Sequence, residues 1–73
     1  MHQDRHITLG SVQYNAVSGA YEARVDIERE GHIFRYPCLV HGPLDMDETL
    51  VRERLAAHAL RQSDSGRGLH SLI

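Results

Sequence analysis

The chain has 73 residues, of which eight are basic and ten are acidic, so its formal net charge is −2 with histidine neutral. This length accommodates one domain at most, which would bury only about 60% of the surface of its unfolded chain. The acidic excess argues against a dedicated duplex-binding protein, because such proteins neutralise phosphates with a basic excess. No apolar run approaches the roughly 18 residues that a membrane-spanning helix needs.

The cysteine content and the amino-terminal sequence predict the compartment. A single cysteine, Cys38, cannot form an internal disulfide, and no four-ligand cysteine and histidine spacing typical of zinc sites is present. The segment MHQDRHITLG lacks the apolar region of a signal peptide. These features predict a reduced, cytoplasmic protein without a cofactor.

The first strand is predicted in RHITLGSVQYN, where the alternation of apolar and polar residues changes phase. The apolar residues up to Leu9 share one parity, and those from Val12 onward share the other. This break indicates a β-bulge at Gly10-Ser11, which keeps all of these side chains on one face of the sheet.

The second and third strands are predicted in AYEARVDIER and EGHIFRYPCLV, joined by a two-residue turn at Glu30-Gly31. This turn pairs residues whose numbers sum to 61, and four apolar pairs then share one face. These pairs are Ile27 with Phe34, Val25 with Tyr36, Ala23 with Cys38, and Tyr21 with Val40. On the other face Asp26 is opposite Arg35. Pro37 occupies a position without a ladder hydrogen bond, which predicts that the third strand is an edge.

A helix is predicted within GPLDMDETLVRERLAAHALRQSD, after Gly42-Pro43 ends the third strand. Asp45 is the predicted N-cap, because Glu48 follows it at the spacing of a capping box. The apolar arc of the helix is wider than one sheet face needs. After Gln62, the sequence SDSGRGLHSLI predicts a flexible tail.

The predicted fold is therefore α+β, a three-stranded antiparallel meander in the order 1-2-3 with one C-terminal helix packed on one face. Residues 1–62 are predicted to form a single βββα domain, and residues 63–73 a flexible C-terminal tail.

Two short segments resemble parts of known families. The sequence ERLAAHAL (Glu53–Leu60) resembles the last helix of double-stranded-RNA-binding domains, but Asp45, Asp47 and Glu48 stand where those domains carry lysines. The sequence DETLVRERLAAHAL (Asp47–Leu60) resembles the helix of HicB-type antitoxins, but YPCLVHGPLDMD does not match their glycine-rich motif. Neither resemblance assigns a functional residue to this chain.

Cys38 and His41 have a spacing that raises the question of a metal or thiol site. Residues three apart on a regular strand point to opposite faces, so Cys38 is predicted to face the core as a small apolar residue. Acid–base catalysis needs titratable groups in a sheltered cleft. The aspartate and glutamate side chains are instead predicted to lie on an open sheet face, on the helix or in loops. We therefore predict no enzymatic activity, and a metal or thiol site at Cys38 and His41 is kept as an alternative.

The outer face of the sheet, opposite the helix, is the predicted interaction surface. It carries an apolar row of Ile33, Pro37 and Leu39, with Arg24 and Arg35 beside it. The predicted function is a non-catalytic protein-interaction module whose partner is an unidentified protein or a second copy, without nucleic acid or membrane. The alternative is nucleic-acid binding through Arg24, Arg35 and the helix arginines, which are Arg52, Arg54 and Arg61.

Overall fold

The computed structural model describes residues 5–65, with side chains from residue 6 onward. The elements in chain order are β1 (Arg5–Leu9), β2 (Gln13–Asn15), β3 (Ala20–Arg29), β4 (His32–His41) and α1 (Glu48–Asp64). The strands form one antiparallel sheet, and α1 packs on one of its faces. The prediction of an α+β fold with one C-terminal helix is confirmed, and most of the predicted tail, residues 66–73, lies outside the described residues.

The sheet has four strands, so the prediction of a three-stranded meander in the order 1-2-3 is wrong in detail. Both β1 and β2 pair with β3, which also pairs with β4. The amide of Gly10 donates to the carbonyl of Arg24 (2.8 Å), and pairing resumes where Gln13 meets Glu22. Residues 11–12 therefore oppose a single β3 residue, which is the predicted bulge. The bulge interrupts the ladder and divides the predicted first strand into two.

The hairpin of β3 and β4 has the predicted turn and register. Glu30 and Gly31 have φ angles of 53° and 81°, and positive values at both positions are the mark of a type I′ turn. The structure contains all five predicted pairs, namely Ile27–Phe34, Val25–Tyr36, Ala23–Cys38, Tyr21–Val40 and Asp26–Arg35. Within the described residues β4 pairs with β3 alone, so Pro37 does lie on an edge strand.

The core lies between α1 and the face of the sheet that carries the predicted apolar pairs. Its buried residues are Tyr21, Ala23, Val25, Ile27, Tyr36, Cys38, Val51, Leu55 and Ala59. The helix contributes Val51, Leu55 and Ala59 at intervals of four residues, the spacing of a single helix face. It packs mainly against β4 and β3 and contacts β1 less.

Two side chains of α1 bind the outward edge of β4. The side-chain amide of Gln62 donates to the carbonyl of Pro37 (3.1 Å), and the amide of Leu39 donates to Nδ1 of His58 (3.2 Å). Unpaired backbone groups on an edge strand are a template for another strand. The helix therefore closes the middle of this edge with its own side chains.

The helix begins after Asp47, so the prediction of an N-cap at Asp45 is wrong. A carboxylate oxygen of Asp47 accepts a hydrogen bond from the amide of Leu50 (3.1 Å), as an N-cap does. A turn occupies the residues before it, where Tyr21 donates its hydroxyl hydrogen to the carbonyl of Pro43 (2.6 Å). Because this tertiary contact fixes the turn, the chain becomes helical two residues later than predicted.

The helix ends at Asp64, two residues beyond the predicted boundary at Gln62. Ser63 is buried, and its hydroxyl accepts a hydrogen bond from the guanidinium of Arg29 (3.0 Å). This contact accounts for the extra residues of helix. No helix among residues 5–65 combines the length and apolar character required to cross a membrane.

Replacing Asp47 by alanine should lower the free energy of unfolding by about 1 kcal/mol, because the amide of Leu50 would lose its acceptor. The matched control is Asp45→Ala, a change of the same chemistry two residues away, which should cost less than about 0.5 kcal/mol. Urea denaturation of both variants measures the difference. A larger loss in Asp45→Ala than in Asp47→Ala would contradict the observed cap.

Candidate interaction surface

The outer face of the sheet is the face that α1 does not cover. Alternation along the strands places even-numbered β3 residues and odd-numbered β4 residues on this face. The cross-strand neighbours here are Glu22 with Leu39, Arg24 with Pro37, Asp26 with Arg35, and Glu28 with Ile33. Each apolar residue of β4 on this face therefore stands next to a charged residue of β3.

Three exposed apolar residues of β4 form what we call the apolar stripe: Ile33, Pro37 and Leu39. The side chain of Ile33 is 62% exposed and that of Leu39 is 42% exposed. Pro37 is exposed as well. Single exposed apolar residues are ordinary, but an apolar row on one strand is typical of a contact surface. The structure thus brings these predicted residues onto one exposed face.

Arg35 divides the apolar stripe and is held by an ion pair. Its Nε lies 2.9 Å from one carboxylate oxygen of Asp26, and its Nη2 lies 3.2 Å from the other. The hydrogen bonds from Arg35 keep the pKa of the Asp26 carboxyl below its usual value, and the positive charge of nearby Arg24 acts in the same direction. Such an exposed pair adds little stability, so its main effect is to fix Arg35 flat on the face.

A depression of about 540 Å³ adjoins the apolar stripe at the bulge. Pro37 and Leu39 line one side of it, and Ser11 and Gln13 line the other, with Glu22, Ala23 and Cys38 completing the lining. The depression lies where residues 11–12 leave the ladder, beside Ala23, whose side chain belongs to the core. The surface therefore combines a raised apolar row with an adjacent hollow, a shape that suits a protruding side chain of a partner.

The structure places Cys38 and His41 on opposite faces of β4. Cys38 faces α1 and is 4% exposed, and its Sγ lies 3.6 Å from both the Tyr36 carbonyl and the Gln62 side-chain nitrogen. Burial raises the pKa of its thiol to about 11. His41 is exposed at the last position of β4, on the other parity. A protonated, buried thiol is a poor nucleophile and a poor metal ligand.

The five arginines of the nucleic-acid alternative lie on different surfaces. Arg24 and Arg35 are on the outer face, whereas Arg52, Arg54 and Arg61 are on α1, which packs on the opposite face. Among residues 5–65, no group of three or more histidine, cysteine, aspartate or glutamate side chains is arranged to hold a metal ion.

Comparison of the chain with protein-family models, with curated proteins and with solved structures finds no match.

Proposed function

We propose that this chain is a non-catalytic protein-interaction module whose outer sheet face binds a second copy of the chain. The observation that supports this proposal is the apolar stripe, in which Ile33 is 62% exposed and Leu39 is 42% exposed on a face that no described element covers. Burying such residues against a partner contributes about 25 cal/mol for each square ångström of apolar surface.

The charges of the outer face favour a second copy as the partner. Glu22 and Glu28 lie at the two ends of the β3 row, with Arg24 between them. In a two-fold dimer each patch faces a copy of itself, so a patch with both signs of charge can pair Arg24 with a glutamate of the other copy. Small domains without disulfides or metals also commonly gain stability by association. The single free cysteine fits a reducing compartment such as the cytoplasm.

Ile33→Lys is the variant that tests this interface. Lysine would place a positive charge in the buried patch, and the dissociation constant of the dimer should rise about tenfold or more. The change should preserve the fold, because the residue opposite Ile33 is Glu28, which forms a favourable cross-strand pair with lysine. Solution mass by light scattering over a wide dilution series measures the effect.

Val17→Lys is the matched control, because Val17 is 99% exposed in the loop between β2 and β3 and lies outside the outer face. The parent chain and this control should both be dimers, and Ile33→Lys should be a monomer at the same concentrations. A parent chain that is monomeric at every concentration would overturn the proposal. Equal dissociation of the two variants would show that the dimer uses another surface.

A further inference from the structure

A groove runs between the end of β4 and α1, and it shares Leu39 with the depression on the outer face. Its lining residues are Leu39, Val40, His41, Arg54, Ala57 and Arg61, and its volume is about 420 Å³. A second hollow of about 350 Å³ is lined by His58, Arg61, Gln62 and Ser65. Arg61 lines both hollows, which are therefore adjacent along the helix.

Among the residues that the structure describes, the groove carries positive charge without a neutralising partner. No aspartate or glutamate is among the described residues that line either hollow, although the chain has more acidic than basic residues. Within residues 5–65 neither Arg54 nor Arg61 forms an ion pair, whereas Arg35 is paired with Asp26. Both groove arginines are therefore available to an external anion.

The helix places these arginines on one side of the groove. Arg54 and Arg61 are seven residues apart, so they lie on the same helix face, about 10 Å apart along its axis. Long arginine side chains can converge over such a distance, and each guanidinium can donate two parallel hydrogen bonds to an oxyanion.

His58 adds a third donor between the two arginines in sequence. Its Nδ1 accepts a hydrogen bond from the amide of Leu39 (3.2 Å). In a neutral imidazole this assigns the ring hydrogen to Nε2, so the other nitrogen can only donate. The helix thus places three donor groups along the groove and the adjacent hollow. The hydrogen bond from Leu39 on β4 holds the imidazole of His58 in place.

We propose that this groove binds a phosphate monoester, held by Arg54 and Arg61. Two arginines without a carboxylate partner among residues 5–65 match a doubly charged phosphate group better than a singly charged carboxylate. The site suits one phosphate group and not a nucleic-acid strand, because Arg24 and Arg35 lie on the outer face and provide no continuous basic track.

The test is a titration of the chain with phosphoserine, with inorganic phosphate and with a single-stranded oligonucleotide, followed by the amide signals in NMR spectra. Phosphoserine should shift the signals of residues 39–41 and 54–65 and leave those of Arg24 and Arg35 in place. Inorganic phosphate should shift the same residues if the phosphate group alone is recognised. Tighter binding of the oligonucleotide with shifts at Arg24 and Arg35 would overturn the proposal in favour of nucleic-acid binding.

Arg54→Gln and Arg61→Gln should each weaken phosphoserine binding about tenfold. Arg52→Gln is the matched control, since Arg52 is exposed on the same helix but does not line the groove, and it should leave the affinity unchanged. The charge of Arg61 also acts on the Cys38 thiol and that of Arg54 does not, so the Arg54 variant tests the groove without changing the electrostatics of the thiol. Equal losses in all three variants would show general attraction of anions to the helix and would overturn the site.

Discussion

Replacing Leu55 by alanine is expected to lower the free energy of unfolding by about 3 kcal/mol. Leu55 is 0% exposed and lies in the middle of the buried row of the helix, so alanine would leave a cavity in the core cluster to which Val25 and Ile27 also belong. In a domain of this size such a loss corresponds to a decrease in melting temperature of about 15 °C. Thermal and urea denaturation followed by circular dichroism would measure both values.

Leu50→Ala is the matched control for this variant. It is the same substitution in the same helix, but the side chain of Leu50 is 36% exposed and lies outside the buried row. The expected cost is below about 1 kcal/mol, because a partly exposed leucine loses less buried surface and leaves no closed cavity. Similar costs for the two variants would mean that α1 presents a different face to the sheet.

The thiol of Cys38 is expected to react with Ellman's reagent on the order of 100-fold more slowly in the folded chain than in urea. Burial raises its pKa from the ordinary 9.0 to about 11, and two pKa units reduce the thiolate population by about that factor at neutral pH. Limited access of the reagent to a buried sulfur slows the reaction further. Rates measured spectroscopically in native buffer and in urea would give the ratio.

A cysteine introduced at the exposed Val17, in a chain that also carries Cys38→Ala, provides the reference rate for an accessible thiol. This variant should react equally fast in native buffer and in urea. Fast reaction of Cys38 in the folded parent chain would contradict its burial, and it would revive the alternative of a thiol site near His41.

The sheet register could be predicted from the sequence because two independent patterns agree on it. Period-two alternation fixes which residues share a face, and the turn at Glu30-Gly31 fixes which residues are opposite each other. A shift of one residue would separate the apolar pairs and also Asp26 from Arg35. The bulge was predictable for the same reason, since Gly10-Ser11 is where the parity changes.

The helix start could not be predicted from local sequence because two aspartates satisfy the rules for an N-cap. Both Asp45 and Asp47 have side-chain oxygens and precede the apolar positions of the helix. The choice depends on Tyr21, whose hydroxyl contacts the backbone at Pro43 from more than 20 residues away. Contacts of this kind appear only after the sheet is assembled.

The candidate surfaces were predictable to different extents. Parity alone places Ile33, Pro37 and Leu39 on the outer face, so the apolar stripe followed from the sequence. The depression and the groove did not, because their depth depends on sheet twist and on where α1 lies relative to β4. The seven-residue spacing that puts Arg54 and Arg61 on one helix face could be read from the sequence. Their position beside the end of β4 could not.

The hydrogen bonds from His58 and Gln62 to β4 limit how large an assembly the chain can form through its strand edges. A fibril grows by adding molecules at two open edges, one on each side of every copy. Here Pro37 and the two helix side chains interrupt one edge, and among the described residues β1 and β2 form the other, with the bulge between them. Two copies that joined through β1 would use the open edge of each, so this mode of growth would terminate at a pair.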